Sequence, residues 1–194
     1  VEGPHLYKRD GWYYLLTAEG GTGYDHAVTL ARARRIDGPY ELHPGPYLLT
    51  AKDAPLNPLQ RAGHGDLVDT PDGRTYLVHL AGRPTTQKRR CVLGRETAIQ
   101  EIVWRDDGWP WLKAGGNLPQ LEVDVPGTRD EAACWAERRY DFADGLDADF
   151  QWLRTPETDR IFRLEGRALR LFGRESIGSW FEQALVARRQ THFS

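Results

Sequence analysis

Methionine is absent from all 194 residues, position 1 included, so the first residue is not an initiator and the chain reads as cut or matured from something longer. Cysteine is nearly absent. Cys91 and Cys134 stand far apart with no Cys/His ligand spacing, which argues against a zinc site and leaves a disulfide undecided. No apolar run approaches the roughly 20 residues of a helical bilayer span, so no membrane partner is expected, and the start lacks the basic-then-apolar order of a secretory signal. Charge of one sign is missing as well. The 26 basic and 28 acidic residues are intermixed and leave a net −2, so no field is built for nucleic acid or an anionic membrane. The basic clusters Lys88-Arg89-Arg90 and Arg138-Arg139 are short and interrupted, as solvated loops are, and neutral ligands fit this balance better. Helical periodicity is nearly absent too.

What is present is a globular composition, 40% hydrophobic and 28% charged, patterned for strands. Residues 12–18, 26–34, 74–80 and 96–104 are apolar, β-branched or aromatic runs bounded by Gly, Pro and Asp. A phrase recurs in which Asp-Gly leads a strand, at Asp10-Gly11, Asp72-Gly73 and Asp107-Gly108. Asp-Gly supplies the positive φ of tight hairpin turns, and spacings of about 62 and 35 residues suit multi-stranded blades arranged radially. A β-sandwich gives the same alternation, so strand pattern alone leaves propeller and sandwich both open. Gly, Pro, Asn and Asp gather over 115–128 without apolar period, marking a boundary loop. Short alternating strands resume from Tyr140 in the manner of a β-sandwich with too few strands to close, and both ends read as truncated.

Four places offer chemistry, each with a plainer explanation beside it. Glu2 heads an apolar strand, followed by Gly3 and Pro4, as one half of a two-carboxylate glycosidase would, although a Glu near a chain end is ordinarily just solvated. His64 stands between Gly63 and Gly65, which allows close backbone approach by a ligand or strand, or serves a core histidine in a tight strand start. Arg95 could fork onto two sugar hydroxyls or pair with an internal carboxylate. The run Gly20 to His26 lacks the lysine and spacing of a nucleotide loop and reads as a connection near a pocket. Seven Trp and eight Tyr could stack on sugars, but Trp12, Tyr13, Tyr14 and Tyr76 sit in strand patterns that favour core packing. No serine lies in a nucleophile elbow.

Taken in order, Glu2-Gly3-Pro4-His5-Leu6-Tyr7, Gly20 to His26, Gly63 to Val68, Tyr76 to Leu80 and Leu93 to Thr97 resemble glycoside hydrolase family 43, specifically its β-xylosidases. Phe150 to Arg154 and Val186 to Gln190 are similar to the start of the β-sandwich that follows the propeller in those enzymes. The resemblance implies an all-β chain: the C-terminal part of a five-bladed β-propeller over 1–128, a linker at 129–139, and the first part of a β-sandwich over 140–194. It implies an inverting mechanism that releases terminal xylose from β-1,4-xylo-oligosaccharides, with some action on arabinose-substituted substrates. Glu2 matches the general acid, Arg95 the arginine on substrate hydroxyls, Thr22 a residue near the sugar, and His64 the histidine of the central cavity. No cofactor is required on this likeness, although His64 would hold water or a divalent cation such as calcium, which some members use. The family's general base and its modulating carboxylate are aspartates preceding the Glu-Gly-Pro segment. Asp10, Asp25 and Asp66 do not stand in those motifs, so residues 1–194 alone are expected not to hydrolyse an aryl β-xyloside. An arabinofuranosidase or arabinanase of the same family, and a non-catalytic carbohydrate-binding module, are the alternatives. The likeness favours a cytoplasmic parent and leaves open its homo-oligomerisation.

Overall fold

Alternation along Trp12–Glu19 sends Tyr14, Leu16 and Ala18 to one buried face, and the rest of that sheet is organised by what covers them. The computed structural model describes residues 1–128, 139–152 and 157–173 and the backbone of 186–188. Two compact units divide after Pro126. Among the described residues all regular structure is β. The first unit holds two antiparallel sheets. One consists of β1 (Glu2–Arg9), β2 (Trp12–Glu19), β3 (Ala27–Ala33) and β4 (Glu41–Leu42) in that order, with β5 (Leu49–Thr50) also on β3. The other runs β6 (Gln60–Asp69), β7 (Thr75–Gly82), β8 (Glu96–Trp104) and β9 (Pro110–Leu112).

Each Asp-Gly closes a hairpin. Arg9 pairs with Trp12 across Asp10 and Gly11, at φ of 48° and 76°, the two left-handed residues of a two-residue turn whose twist matches that of the strands. Thr70–Arg74 and Arg105–Trp109 are longer turns with a left-handed glycine, Gly73 and Gly108, in the last loop position. The 62-residue spacing is therefore the repeat from one sheet to the next, because β1–β2 and β6–β7 are the first hairpins of their sheets. The 35-residue spacing lies within the second sheet.

The core fills the space between the sheets. Tyr14, Leu16, Val28, Leu30, Leu48 and Leu49 from the first meet Ala62, Leu77, Ile102, Trp109 and Leu112 from the second. At the hairpin end, the buried Arg32 guanidinium lies 4.1 Å from the Trp12 ring centre and 4.0 Å from that of Trp109. Its Nε donates to Glu41 at 2.6 Å and its Nη1 to the Asp107 carbonyl at 2.7 Å, so the charge enters the core with partners. Beside it the Tyr14 hydroxyl donates to the Gly108 carbonyl at 2.5 Å. The irregular stretch after β9 is pinned rather than loose. The Asn117 carbonyl accepts from Thr50 N–H at 2.9 Å, and Gln100 makes two 3.0 Å bonds to the Gln120 backbone.

In the second unit β11 (Phe162–Glu165) and β12 (Ala168–Leu171) form one antiparallel pair, and β10 (Phe150–Trp152) and β13 (Val186–Arg188) form the other. Tyr140, Phe142 and Phe150 cluster edge and face. Residues 129–138, most of the expected linker, lie outside the described residues, as do Cys134 and the last two residues of the segment Val186 to Gln190.

Candidate active site

β1 and β6 are the edges of their sheets and run alongside each other in the same direction, fastened by side chains. His5 Nδ1 lies 3.5 Å from Asp66 Oδ1, and Arg9 donates to Asp69 at 3.4 Å. Between them the Tyr7 hydroxyl donates to Asp66 and accepts from the Leu67 N–H at 2.9 Å. Burial, and then the Asp66 carboxylate, push the Tyr7 phenol well above its ordinary value, so it keeps its proton and the bond. Among the described residues no backbone hydrogen bond crosses this seam.

Bulges shape the far end of both edges. Between the pairs Glu2–Ala18 and His5–Leu16, β1 carries one residue more than β2, with Gly3 at φ 54°. A side chain on Gly3 would put its Cβ 2.5 Å from His64 Nε2, so glycine is needed for the turn and for the contact. β6 bulges twice, between Gln60 and Gly63 and between Gly63 and Asp66, with Arg61 at φ 54° and His64 at φ 52°. The flanking glycines serve packing: a Cβ on Gly63 would stand 2.3 Å from His26 Cδ2, and one on Gly65 2.6 Å from Leu77 Cδ1. His64 itself is exposed against Gly3.

His26, beneath Gly63, is the centre that sequence reasoning missed. It is 1% exposed, and its Nδ1 lies 3.0 Å from the Glu19 carbonyl, which makes Nδ1 the donor and leaves Nε2 buried without a partner. Burial, the largest influence, holds it below the ordinary histidine value. The Glu19 carbonyl and the Glu2 carboxylate pull the other way, while His64 and Arg95 deepen the depression. Three of the four nominated residues therefore lie within electrostatic reach of one imidazole. His79 on β7 is a second buried histidine within electrostatic reach of His26, again with Nδ1 on a carbonyl, Leu80, at 2.9 Å and an unpartnered Nε2. A lone histidine closing a glycine-rich run carries no periodic signal, and only its burial shows its place.

Glu2 is exposed at the head of β1, and Arg95 is exposed immediately before β8. The neighbouring Glu96 is held by Arg83 in a two-pronged pair at 2.8 and 2.9 Å. Thr22 lies exposed in the turn between β2 and β3. No three His, Cys, Asp or Glu side chains among the described residues converge on a cation site. The arrangement can give a proton from a carboxyl and hydrogen bonds from a guanidinium and an imidazole to a neutral, hydroxyl-rich ligand.

Residues 1–110, more than half of the chain, match the sequence profile of Glycosyl hydrolases family 43. The chain belongs to that family. Residues 139–194 of this family 43 chain match the Beta xylosidase C-terminal Concanavalin A-like domain. The Xylosidase/arabinosidase 43B of Humicola insolens is 73% identical over 195 residues, covering 100% of the chain and 36% of the relative. The Beta-xylosidase of Bacillus subtilis (strain 168) is 47% identical over 202 residues, 97% of the chain and 37% of the relative. The crystal structure of xylan beta-1,4-xylosidase from Bacillus Halodurans C-125 superposes with a TM-score of 0.86 at 48% identity, over 98% of this chain and 37% of that one. The chain thus spans about a third of the length of these relatives. Its two sheets lie in the part matched to family 43, and the second unit holds the part matched to the Concanavalin A-like domain.

Proposed function

We propose that these residues supply the acid half of an inverting glycosidase site that releases terminal xylose from β-1,4-xylo-oligosaccharides. The observation that supports the reading is that Glu2, His64 and Arg95 all lie within electrostatic reach of His26, with Gly3 of β1 packed on His64 and Gly63 of β6 packed on His26. Protonated Glu2 donates to the glycosidic oxygen as the bond from that oxygen to the sugar's anomeric carbon breaks. A water attacks that carbon from the opposite face and gives up its proton to a second carboxylate, leaving the sugar inverted and Glu2 to regain its proton from solvent. Inversion places the two carboxyls about 6.5–9.5 Å apart. Asp66 is engaged by Tyr7 and His5. On the family likeness the base is an aspartate in a motif that residues 1–194 do not carry. Arg95 holds sugar hydroxyls, and its contribution to rate is greatest where those bonds tighten in the transition state.

The test is made in a protein of the relatives' length that carries this chain. Glu2→Ala slows release of an alkyl or sugar leaving group by about 10²–10⁴-fold, the usual size of general-acid catalysis, and slows an activated phenol far less. Equal losses on both substrates sink the acid role. The name of the Humicola relative couples xylosidase with arabinosidase, which supports a second reading as an α-L-arabinofuranosidase. Turnover of matched aryl β-xyloside and aryl α-L-arabinofuranoside decides between them.

A further inference from the structure

The turn from β2 to β3 and the connection from β7 to β8 belong to different sheets, yet one side chain joins them. Tyr24 sits in the glycine-rich turn, two residues after Thr22 and two before His26. Its hydroxyl donates to the Arg89 carbonyl at 2.5 Å. The guanidinium of Arg89 lies 4.5 Å from the Tyr24 ring centre and that of Arg61, on the first bulge of β6, lies 4.6 Å from it. The turn is itself rigidly shaped, because Gly20 packs so closely on the Asp25 carbonyl that a Cβ there would lie 2.0 Å from the oxygen.

The connection that Tyr24 grips is the one that ends in Arg95. Its base is closed by the Arg83–Glu96 pair and by Cys91 packed on Gly82, where a Cβ would meet Sγ at 2.9 Å. Thr85 N–H bonds the Arg90 carbonyl at 3.2 Å, and Arg89 N–H bonds that of Thr86 at 2.9 Å, folding the tip back on itself. Those contacts fasten the connection to its own sheet. Tyr24 fastens it to the other one, at Arg89, whose left-handed φ of 56° a non-glycine residue keeps only when its surroundings hold it.

We infer that Tyr24 is a positioning residue that sets the place of Arg95 against the sheet bearing Glu2, by tying the tip of the β7–β8 connection to the β2–β3 turn. This rests on the substrate role of Arg95 given above. In the full-length enzyme carrying this chain, Tyr24→Phe keeps the ring and removes the bond. It raises KM for an aryl β-xyloside about three- to tenfold, the worth of one hydrogen bond, with kcat unchanged. Tyr24→Leu, which also loses both cation–ring contacts, raises it further. In an Arg95→Ala background Tyr24→Phe adds no further rise, because its effect passes through the arginine. Amide hydrogen exchange over 85–95 accelerates in Tyr24→Phe. Unchanged exchange overturns the tie, and a KM rise that adds in full to that of Arg95→Ala overturns the route through Arg95. An Arg95→Ala enzyme with parental KM overturns the substrate role of Arg95 and the positioning role built on it, and accelerated exchange distinguishes that outcome from a failed tie.

Discussion

Gly63 shows how a single missing Cβ organises the site. Its φ is not in the left-handed region, so alanine could adopt the same backbone, and what forbids it is the His26 ring 2.3 Å from where the Cβ would stand. Gly63→Ala is expected to lower the unfolding free energy by about 1–3 kcal/mol, the usual cost of overpacking, measured by urea denaturation. An unchanged midpoint would mean that His26 moves aside freely. Glu2, His64 and Arg95 are nominated in sequence because each stands in a short motif with glycine beside it. That all three lie within electrostatic reach of His26 was not legible, since residues 62 and 93 positions from Glu2 are brought near it only by sheet geometry. His26 was unreadable for a different reason: in sequence a buried histidine and a solvated one look alike, and only its contacts with Glu19 and Gly63 separate them.

At the scale of elements, the seam between β1 and β6 decides where Glu2 sits relative to His64. Tyr7 is its best-bonded member. Tyr7→Phe deprives Asp66 of a donor and the Leu67 N–H of its acceptor, and is expected to cost about 1 kcal/mol in chemical denaturation, the net worth of an ordinary hydrogen bond. A stability equal to that of the parent would show that solvent replaces both bonds without loss. The hairpins were readable from Asp-Gly because positive φ has few chemical solutions. The strand β6 was not read as ten residues, since two bulges break its alternation and Gly63-His64-Gly65-Asp66 carries no β-branched residue and no Phe, Tyr or Trp. The two-residue strands β4 and β5 are too short for any period.

For the whole first unit, three neutral histidines make stability depend on pH. His26, His43 and His79 are each held below the ordinary value, chiefly by burial. His43 is fixed in a neutral tautomer, with Nε2 donating to the Pro110 carbonyl at 3.0 Å and Nδ1 accepting from Gly45 N–H at 3.0 Å. Unfolded histidines take up protons near pH 6.5, whereas the folded ones do so only at lower pH, so the unfolded state binds more protons below about 6.5. Stability is therefore full above that pH and lost as pH falls, by up to about 1.4 kcal/mol per pH unit for each histidine. Urea midpoints taken from pH 7.5 to 5 should fall below 6.5, and His43→Gln should flatten the slope. A flat profile in the parent would contradict it. Fold class was legible at this scale because strand alternation pervades the chain. The choice between propeller and sandwich was not, since both bury one face of a twisted antiparallel sheet. The abutting edges also have a mechanical meaning. Along β1 and β6 force passes from edge to edge through side chains such as Tyr7 and Asp66, whereas inside each sheet it passes through a ladder of backbone bonds.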